Sequence, residues 1–258
     1  MTNFKNNEIF WWKPKRKLKN FYIQKYNVGD LLSAYLCQKI LNSKNLSLNP
    51  KRKTNQRVLA IGSIIHFARE NDIIWGSGIN GKIPLSEIKA RKLDIRSVRG
   101  PKTAQILNDF SIHTPDIYGD PALLIYKFIP KLEKRYEISI IPHYNHMNVI
   151  NETTHNIIKP NENIESFCNK ISASNLIISS SLHGLIIAES YGVPAIYWDN
   201  NNGETIFKYE DYYQGTGRKT FNKGKTIAEC IEIGGNVLPY FDEDKLLNAF
   251  PFDFFTTK

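Results

Sequence analysis

Cysteine is scarce: Cys37, Cys168 and Cys230 are the whole complement, an odd number with no Cys-x-x-Cys pair. This excludes a disulfide framework and argues against a zinc ribbon. Cys37 and Cys168 fall inside helix-like apolar patterns, where a free thiol packs as a small hydrophobe. Long hydrophobic runs are missing too, and none approaches the roughly 18 residues of a membrane span. No apolar stretch with a small-residue cleavage site follows Met1, so the chain is expected in the reducing cytoplasm. A complete Walker-type phosphate loop is absent, since Gly76-Ser77-Gly78-Ile79-Asn80-Gly81-Lys82 is followed by Ile83 rather than Ser or Thr, which disfavours nucleotide triphosphatases. His, Cys, Asp and Glu nowhere adopt ligand spacing, and neither a metal nor a cofactor is expected.

Positive charge is plentiful. Lysine and arginine number 34 against 25 acids, a net charge of +9. Much of the excess sits in Lys13, Lys15, Arg16, Lys17 and Lys19 and in Lys51, Arg52, Lys53 and Arg57. Neither cluster interleaves aromatics as a strand-binding groove does, so nucleic acid is not an expected partner. Such clusters suit phosphates, whether on small molecules or anionic lipid head groups, or they are solvated faces.

The 258 residues divide naturally into two lobes, 1–130 and 131–258, with the boundary in the charged, Pro-containing stretch 129–134. In the first, Ile9-Phe10-Trp11-Trp12 is a short β-type run. Leu31, Leu32, Tyr35, Leu36, Ile40 and Leu41 recur on one helical face. The runs at 58–61, 72–75 and 95–98 each stop at or just before glycine, as buried parallel strands do. In the second, strands are expected at 138–141, 175–178 and 193–198, with helices at 164–171 and 182–190. The pattern is α/β, with loops gathered at the carboxyl ends of parallel strands.

Chemistry concentrates at a few of those loops. Ser179-Ser180-Ser181-Leu182-His183-Gly184 joins a strand to a helix, so unpaired N–H groups and hydroxyls make an anion site. His183 lies in the first helical turn, where the helix field keeps imidazole neutral and able to exchange a proton near pH 7. The plainer reading is that the serines cap and His183 packs. Arg99-Gly100-Pro101 puts a planar fork at a strand end, suited to carboxylate or phosphate, or else to an ion pair. Asn27-Val28-Gly29-Asp30 places Asp30 at a helix start, as a cap or a functional acid. His66 and His143 each follow a strand end, and Asp120 lies in the turn Gly119-Asp120-Pro121-Ala122.

The ordered set of Asn27-Val28-Gly29-Asp30, Ala60-Ile61-Gly62-Ser63, Trp75-Gly76-Ser77-Gly78, Arg99-Gly100-Pro101, Gly119-Asp120-Pro121-Ala122, Ile141-Pro142-His143-Tyr144 and the segment 179–198 resembles the polysaccharide pyruvyl transferase family. The likeness is nearest to the branch that decorates bacterial exopolysaccharides, and it thins out after Trp198. It implies two Rossmann-like lobes in a glycosyltransferase-B-like fold, with the active site in the cleft between them. The first lobe would hold the acceptor and the second the donor phosphate. The reaction implied moves pyruvate from phosphoenolpyruvate, the donor substrate, onto two hydroxyls of one sugar in a surface polysaccharide or its lipid-linked precursor, releasing phosphate. A sugar-nucleotide glycosyltransferase on the same scaffold is the alternative.

On this resemblance His183 is the general acid or base, and Asp30 contacts or deprotonates the acceptor. Ser180, Ser181, Gly184, Asn27, His66, Asp120 and His143 would line the cleft. Some relatives carry arginine two residues before the histidine, where this chain has Ser181; Arg99 is the natural replacement on the donor carboxylate. The tail Phe250-Pro251-Phe252-Asp253-Phe254-Phe255 either docks on the first lobe or, with the basic loop 13–19, gives peripheral contact with the inner face of the plasma membrane.

Overall fold

The computed structural model describes residues 8–12, 15–18, 21–24, 27–50, 55–149 and 154–257, with only the backbone in 15–18, 21–24, 50, 148 and 149. In chain order, β1 (Ile9–Phe10) leads into an antiparallel hairpin, β2 (Lys15–Leu18) and β3 (Phe21–Gln24), then α1 (Val28–Ser43) and β4 (Leu46–Pro50). β5 (Val58–Leu59), β6 (Ile73–Trp75), β7 (Asp94–Ser97) and α2 (Pro101–Asp109) follow. Next come β8 (Tyr136–Ile141), β9 (Asn156–Ile157), α3 (Ile164–Ser172), β10 (Ser174–Ser179), α4 (Leu182–Ser190) and β11 (Ala195–Trp198). The remainder is α5 (Phe207–Gly215), β12 (Lys223–Gly224), α6 (Ile227–Ile233), α7 (Glu243–Asn248) and β13 (Phe255–Thr257).

Two wholly parallel sheets result, one in the order β1-β5-β6-β7 and the other β12-β11-β10-β8-β9. This is a Rossmann-like α/β arrangement. Register aligns the strand ends: Leu59 faces Ile74 and Ile74 faces Ile95, while Ser179 faces both Ile141 and Tyr197. The loops after these strands therefore gather at one edge of each sheet, where open α/β sheets bind ligands.

One continuous apolar core joins both halves. α1 places Val28, Leu32, Leu36 and Ile40 on one stripe, each at most 1% exposed, in a core shared with Phe167 of α3 and Leu185 of α4. Burial of each such Leu or Ile contributes about 1.5–3 kcal/mol, which fixes where the start of α1 points. Cys37, Cys168 and Cys230 are free and buried, and burial pushes all three thiols upward.

Some of the later chain does not stay with the second sheet. Helix α5 packs on α2, and residues 242–257 pack against elements of the first half, the docking that is one of the two expectations for the tail. A Cβ on Gly100 would lie 1.8 Å from the carbonyl oxygen of Asp211, so only glycine permits that contact with α5. The Trp75 indole N–H donates to the carbonyl of Leu246 (2.8 Å), Phe250 meets the Trp75 ring edge-on at 4.9 Å, and β13 pairs antiparallel with β4.

That return settles two features of the tail and the basic clusters. Phe250 and Phe255 are buried core residues, so neither is available to insert into a membrane. Residues 15–18, expected as a loop, form a hairpin strand, and Lys13, Lys19 and residues 51–53 lie outside the described residues. Arg57 of the second cluster is not a surface charge but is buried against Asp72. Among the described residues no helix is long and apolar enough to cross a membrane.

Candidate active site

Asn27 opens α1 and Ser181 opens α4, and both helix starts face one cavity of about 580 Å³. Its wall also draws on residues 61–67 and 80–83 after strands of the first sheet and on 143–145, Glu204 and Lys208 from the second half of the chain. The first-turn N–H groups of a helix have no intrahelical acceptors. Asn27 satisfies one in α1, its Oδ1 accepting from Asp30 N–H at 2.9 Å. Ser181 makes no side-chain cap in α4, which leaves its hydroxyl on the cavity wall beside unspent donors.

His183 and Asp30 come together here although 153 positions separate them in the chain. The imidazole lies against the backbone of Gly29, and its Nε2 is buried with no hydrogen-bond partner among the described residues. Burial first, then the charges of Lys208 and Arg99, lower its pKa to about 3, so the ring is neutral at pH 7. Asp30 Oδ2 is likewise buried and unpartnered. Burial raises the Asp30 pKa to about 7, a backbone hydrogen bond at Asn27 pulling the other way. The cavity thus holds a neutral base and a carboxyl able to keep its proton near neutrality.

Other expected residues divide between the wall and its backing. His66 and His143 line the cavity, and burial lowers both, His143 to about 4 with help from Lys208. His143 is therefore neutral at pH 7, and the 3.5 Å approach of its Nε2 to Glu204 is not an ion pair there. Ser180 stands behind the wall: its Oγ accepts from His143 N–H at 2.7 Å, and its carbonyl accepts from Asn202 and Tyr209. Gly184 is a packing position, where a Cβ would meet Ser179 Oγ at 2.4 Å. Asp120 is buried away from the cavity; its Oδ1 accepts from Ala122 N–H, and burial raises its pKa to about 6.

Arg99, expected at the donor carboxylate, does not line the cavity. It is fully buried, off the cavity wall, and pressed against Gly78. Its guanidinium donates to Asp211 (3.0 Å), Ser63 Oγ (2.6 Å) and the Ile79 carbonyl (2.6 Å). Asp211 also accepts from Thr103 N–H and Oγ1 in the first turn of α2. The fork is spent on joining α5 to the first sheet rather than held open for a substrate.

Among the described residues, the lysines that face the cavity are Lys82 and Lys208. Glu204 bridges them, contacting Lys82 through Oε1 and Lys208 through Oε2 (2.6 Å). Burial raises the Glu204 pKa, but Lys208 and Lys82 outweigh it and hold it at about 2. Glu204 and Lys208 stand four apart just after a strand, a spacing that could have marked them. The wall also carries Trp12, its ring stacked on Phe67 at 4.7 Å and 13°. Among the described residues no group of three or more His, Cys, Asp or Glu could hold a metal ion.

Residues 6–202 match the family described as polysaccharide pyruvyl transferase. Uncharacterized protein L143 of Acanthamoeba polyphaga mimivirus is 27% identical over 233 residues, covering 81% of this chain and 78% of its own. The succinoglycan biosynthesis protein ExoV of Rhizobium meliloti (strain 1021) is 28% identical over 176 residues, 62% of this chain. The match spans only about half of ExoV (54%). A crystal structure of an uncharacterized protein from Klebsiella pneumoniae subsp. pneumoniae NTUH-K2044 superposes with a TM-score of 0.50 at 16% identity, over 73% of this chain and 84% of that one, a likeness of fold alone.

Proposed function

The chain belongs to the polysaccharide pyruvyl transferase family, and from that premise we propose that it moves the pyruvyl group of phosphoenolpyruvate onto two hydroxyls of one sugar of a bacterial surface polysaccharide or its lipid-linked precursor. We read the two parallel sheets as the two Rossmann-like halves of a glycosyltransferase-B-like fold, and the cavity at their strand ends as the cleft. ExoV, named for succinoglycan biosynthesis, supports an exopolysaccharide as the acceptor.

The observation that carries the reading is the pair of orphaned polar atoms, His183 Nε2 and Asp30 Oδ2, buried at two helix starts on one cavity. The donor is a small trianion. Helix N-termini and the ammonium groups of Lys82 and Lys208 suit its phosphate and carboxylate. Its charge, once in the cavity, favours the protonated forms of both His183 and Asp30.

The chemistry needs a proton on the enol methylene, C3, and attack on the cationic C2 by a sugar hydroxyl. The C2–O bond to phosphate then breaks and a second hydroxyl closes the ketal. The two hydroxyl protons end on the new methyl group and on the departing phosphate. Asp30, held near 7, can carry the proton delivered to C3, and neutral His183 can take one from the attacking hydroxyl. Helix N–H groups stabilise the phosphate as its charge grows.

The test is phosphate release from phosphoenolpyruvate against a panel of glycans, with product mass as the readout. A pyruvylated glycan and stoichiometric phosphate are expected. Phosphate release dependent on a sugar nucleotide, or none with any glycan, would sink the reading.

A further inference from the structure

Trp12 is unlike the other tryptophans of this chain. Trp11, Trp75 and Trp198 are at most 6% exposed, whereas Trp12 is 43% exposed on the cavity wall. One face of its indole is covered by Phe67, nearly parallel at 4.7 Å. Phe67 is itself held in place. Its ring meets Phe10 at 5.6 Å and His66 at 4.0 Å. Its carbonyl accepts from the guanidinium of Arg57 at 2.8 Å, and Arg57 is locked to buried Asp72. An exposed indole so braced offers a large flat surface that loses little freedom on binding.

We propose that Trp12, backed by Phe67, is the platform on which a neutral pyranose ring of the acceptor lies, with His66 beside it to bond the ring hydroxyls. The inference rests on the pyruvyl-transfer reading for the identity of the acceptor. A pyranose presents weakly positive C–H groups on its apolar face, and the electron-rich face of an indole attracts them. The acceptor must bring two hydroxyls into the cavity that holds His183 and Asp30, and Trp12 is on that wall. His66, kept neutral by burial, has one ring nitrogen to donate and one to accept. A nucleobase could also stack, but its ribose calls for a free carboxylate. Glu204 is tied to two lysines, and Asp30 lies beside His183.

Because Trp12 is the exposed indole, acrylamide quenching of intrinsic fluorescence reads it without turnover or donor. Lactose and cellotetraose are expected to protect the wild-type emission from quenching, and Trp12→Phe should lose that protection. In the transfer assay Trp12→Ala should raise acceptor KM about three- to tenfold, the worth of one aromatic contact, and leave phosphoenolpyruvate affinity by calorimetry unchanged. Protection by a nucleoside diphosphate but by neither saccharide would overturn the platform. Lack of protection by both saccharides with an unchanged acceptor KM would do so too. Protection that persists while no ketal forms leaves the platform standing and removes the transfer reading instead.

Discussion

His183 rests on the backbone of Gly29: a Cβ built there would lie 2.3 Å from the imidazole Nδ1 and 2.8 Å from its Cε1. Helix α1 therefore sets where the ring on α4 stands, and the absence of a side chain at Gly29 is what allows it. Gly29→Ala is expected to displace the ring and lower kcat at least tenfold, with donor KM changed much less. A wild-type kcat in that variant would show that ring position does not govern the rate.

For His183 itself, replacement by Ala or Asn should cost about 10²-fold or more in kcat, the usual range for a positioned acid or base. Nε2 has no partner to lose among the described residues, so the fold should survive both changes. Turnover close to wild type at saturating donor would take His183 out of the chemistry.

Asp30 should give the pH profile its alkaline limb. Its pKa of about 7 in the free protein means that the proton is lost as pH rises through neutrality, and kcat/KM should fall there, with the limb in kcat displaced upward by the bound donor's charge. The same shift acts on stability. The folded form holds the proton more tightly than the unfolded one, whose ordinary value is 3.8, so the protonated acid stabilises below about 3.8 and that contribution is lost as pH rises towards 7. His183, lowered to about 3, works in the opposite sense between there and 6.5, so the effect is read as a difference between variant and wild type. Asp30→Asn should gain stability relative to wild type between those limits and lose the alkaline limb; parallel denaturation curves across that range would contradict the assignment.

Arg99 and Asp211 are both fully buried, and removing one partner strands a charge. Asp211→Ala or Arg99→Met should destabilise by about 3–5 kcal/mol in urea titrations, and the double variant by less than the sum. A variant of normal stability whose only defect is donor affinity would restore Arg99 to the substrate.

On the proposed pyruvyl-transfer reading, Lys208 and Lys82, which line the cavity, would hold the donor in place of Arg99. Lys208→Met should weaken phosphoenolpyruvate binding about ten- to hundredfold, the worth of one charge-assisted hydrogen bond, and flatten its salt dependence. Glu204→Gln, which frees both lysines, should tighten it. Calorimetry at two salt concentrations separates the two, and equal donor affinity in all three proteins would exclude the pair.

Most of the parallel strands were legible because each is a short apolar run closed by a turn residue, a local signal, whereas the two-residue edge strands β9 and β12 carry no such run. The starts of α1 and α4 were legible within a few residues, although the cap of α1 is Asn27 rather than Asp30 and Ser181 makes no side-chain cap. What stayed hidden depends on distant partners. Arg99 looks like an open fork at a strand end, and only Asp211, 112 positions on, turns it inward. The pairing of β13 with β4 joins segments about 200 residues apart with no turn between them to announce it. Glu204 and Lys208 carry a four-residue spacing in the sequence, but their place on the wall depends on how α5 docks.

The pairing of β13 with β4 also bears on the order in which the molecule can be finished. Trp75 and α1 belong to the part of the chain made first, yet Phe250 and Phe255 complete their packing. Domains emerging during synthesis tend to fold as their residues appear. Here the early half leaves the ribosome with an open seam and keeps apolar surface exposed until its closing strand is made. Its vulnerable interval spans about two hundred residues of translation, which makes this seam the place where a chaperone holding nascent chains would have most to cover.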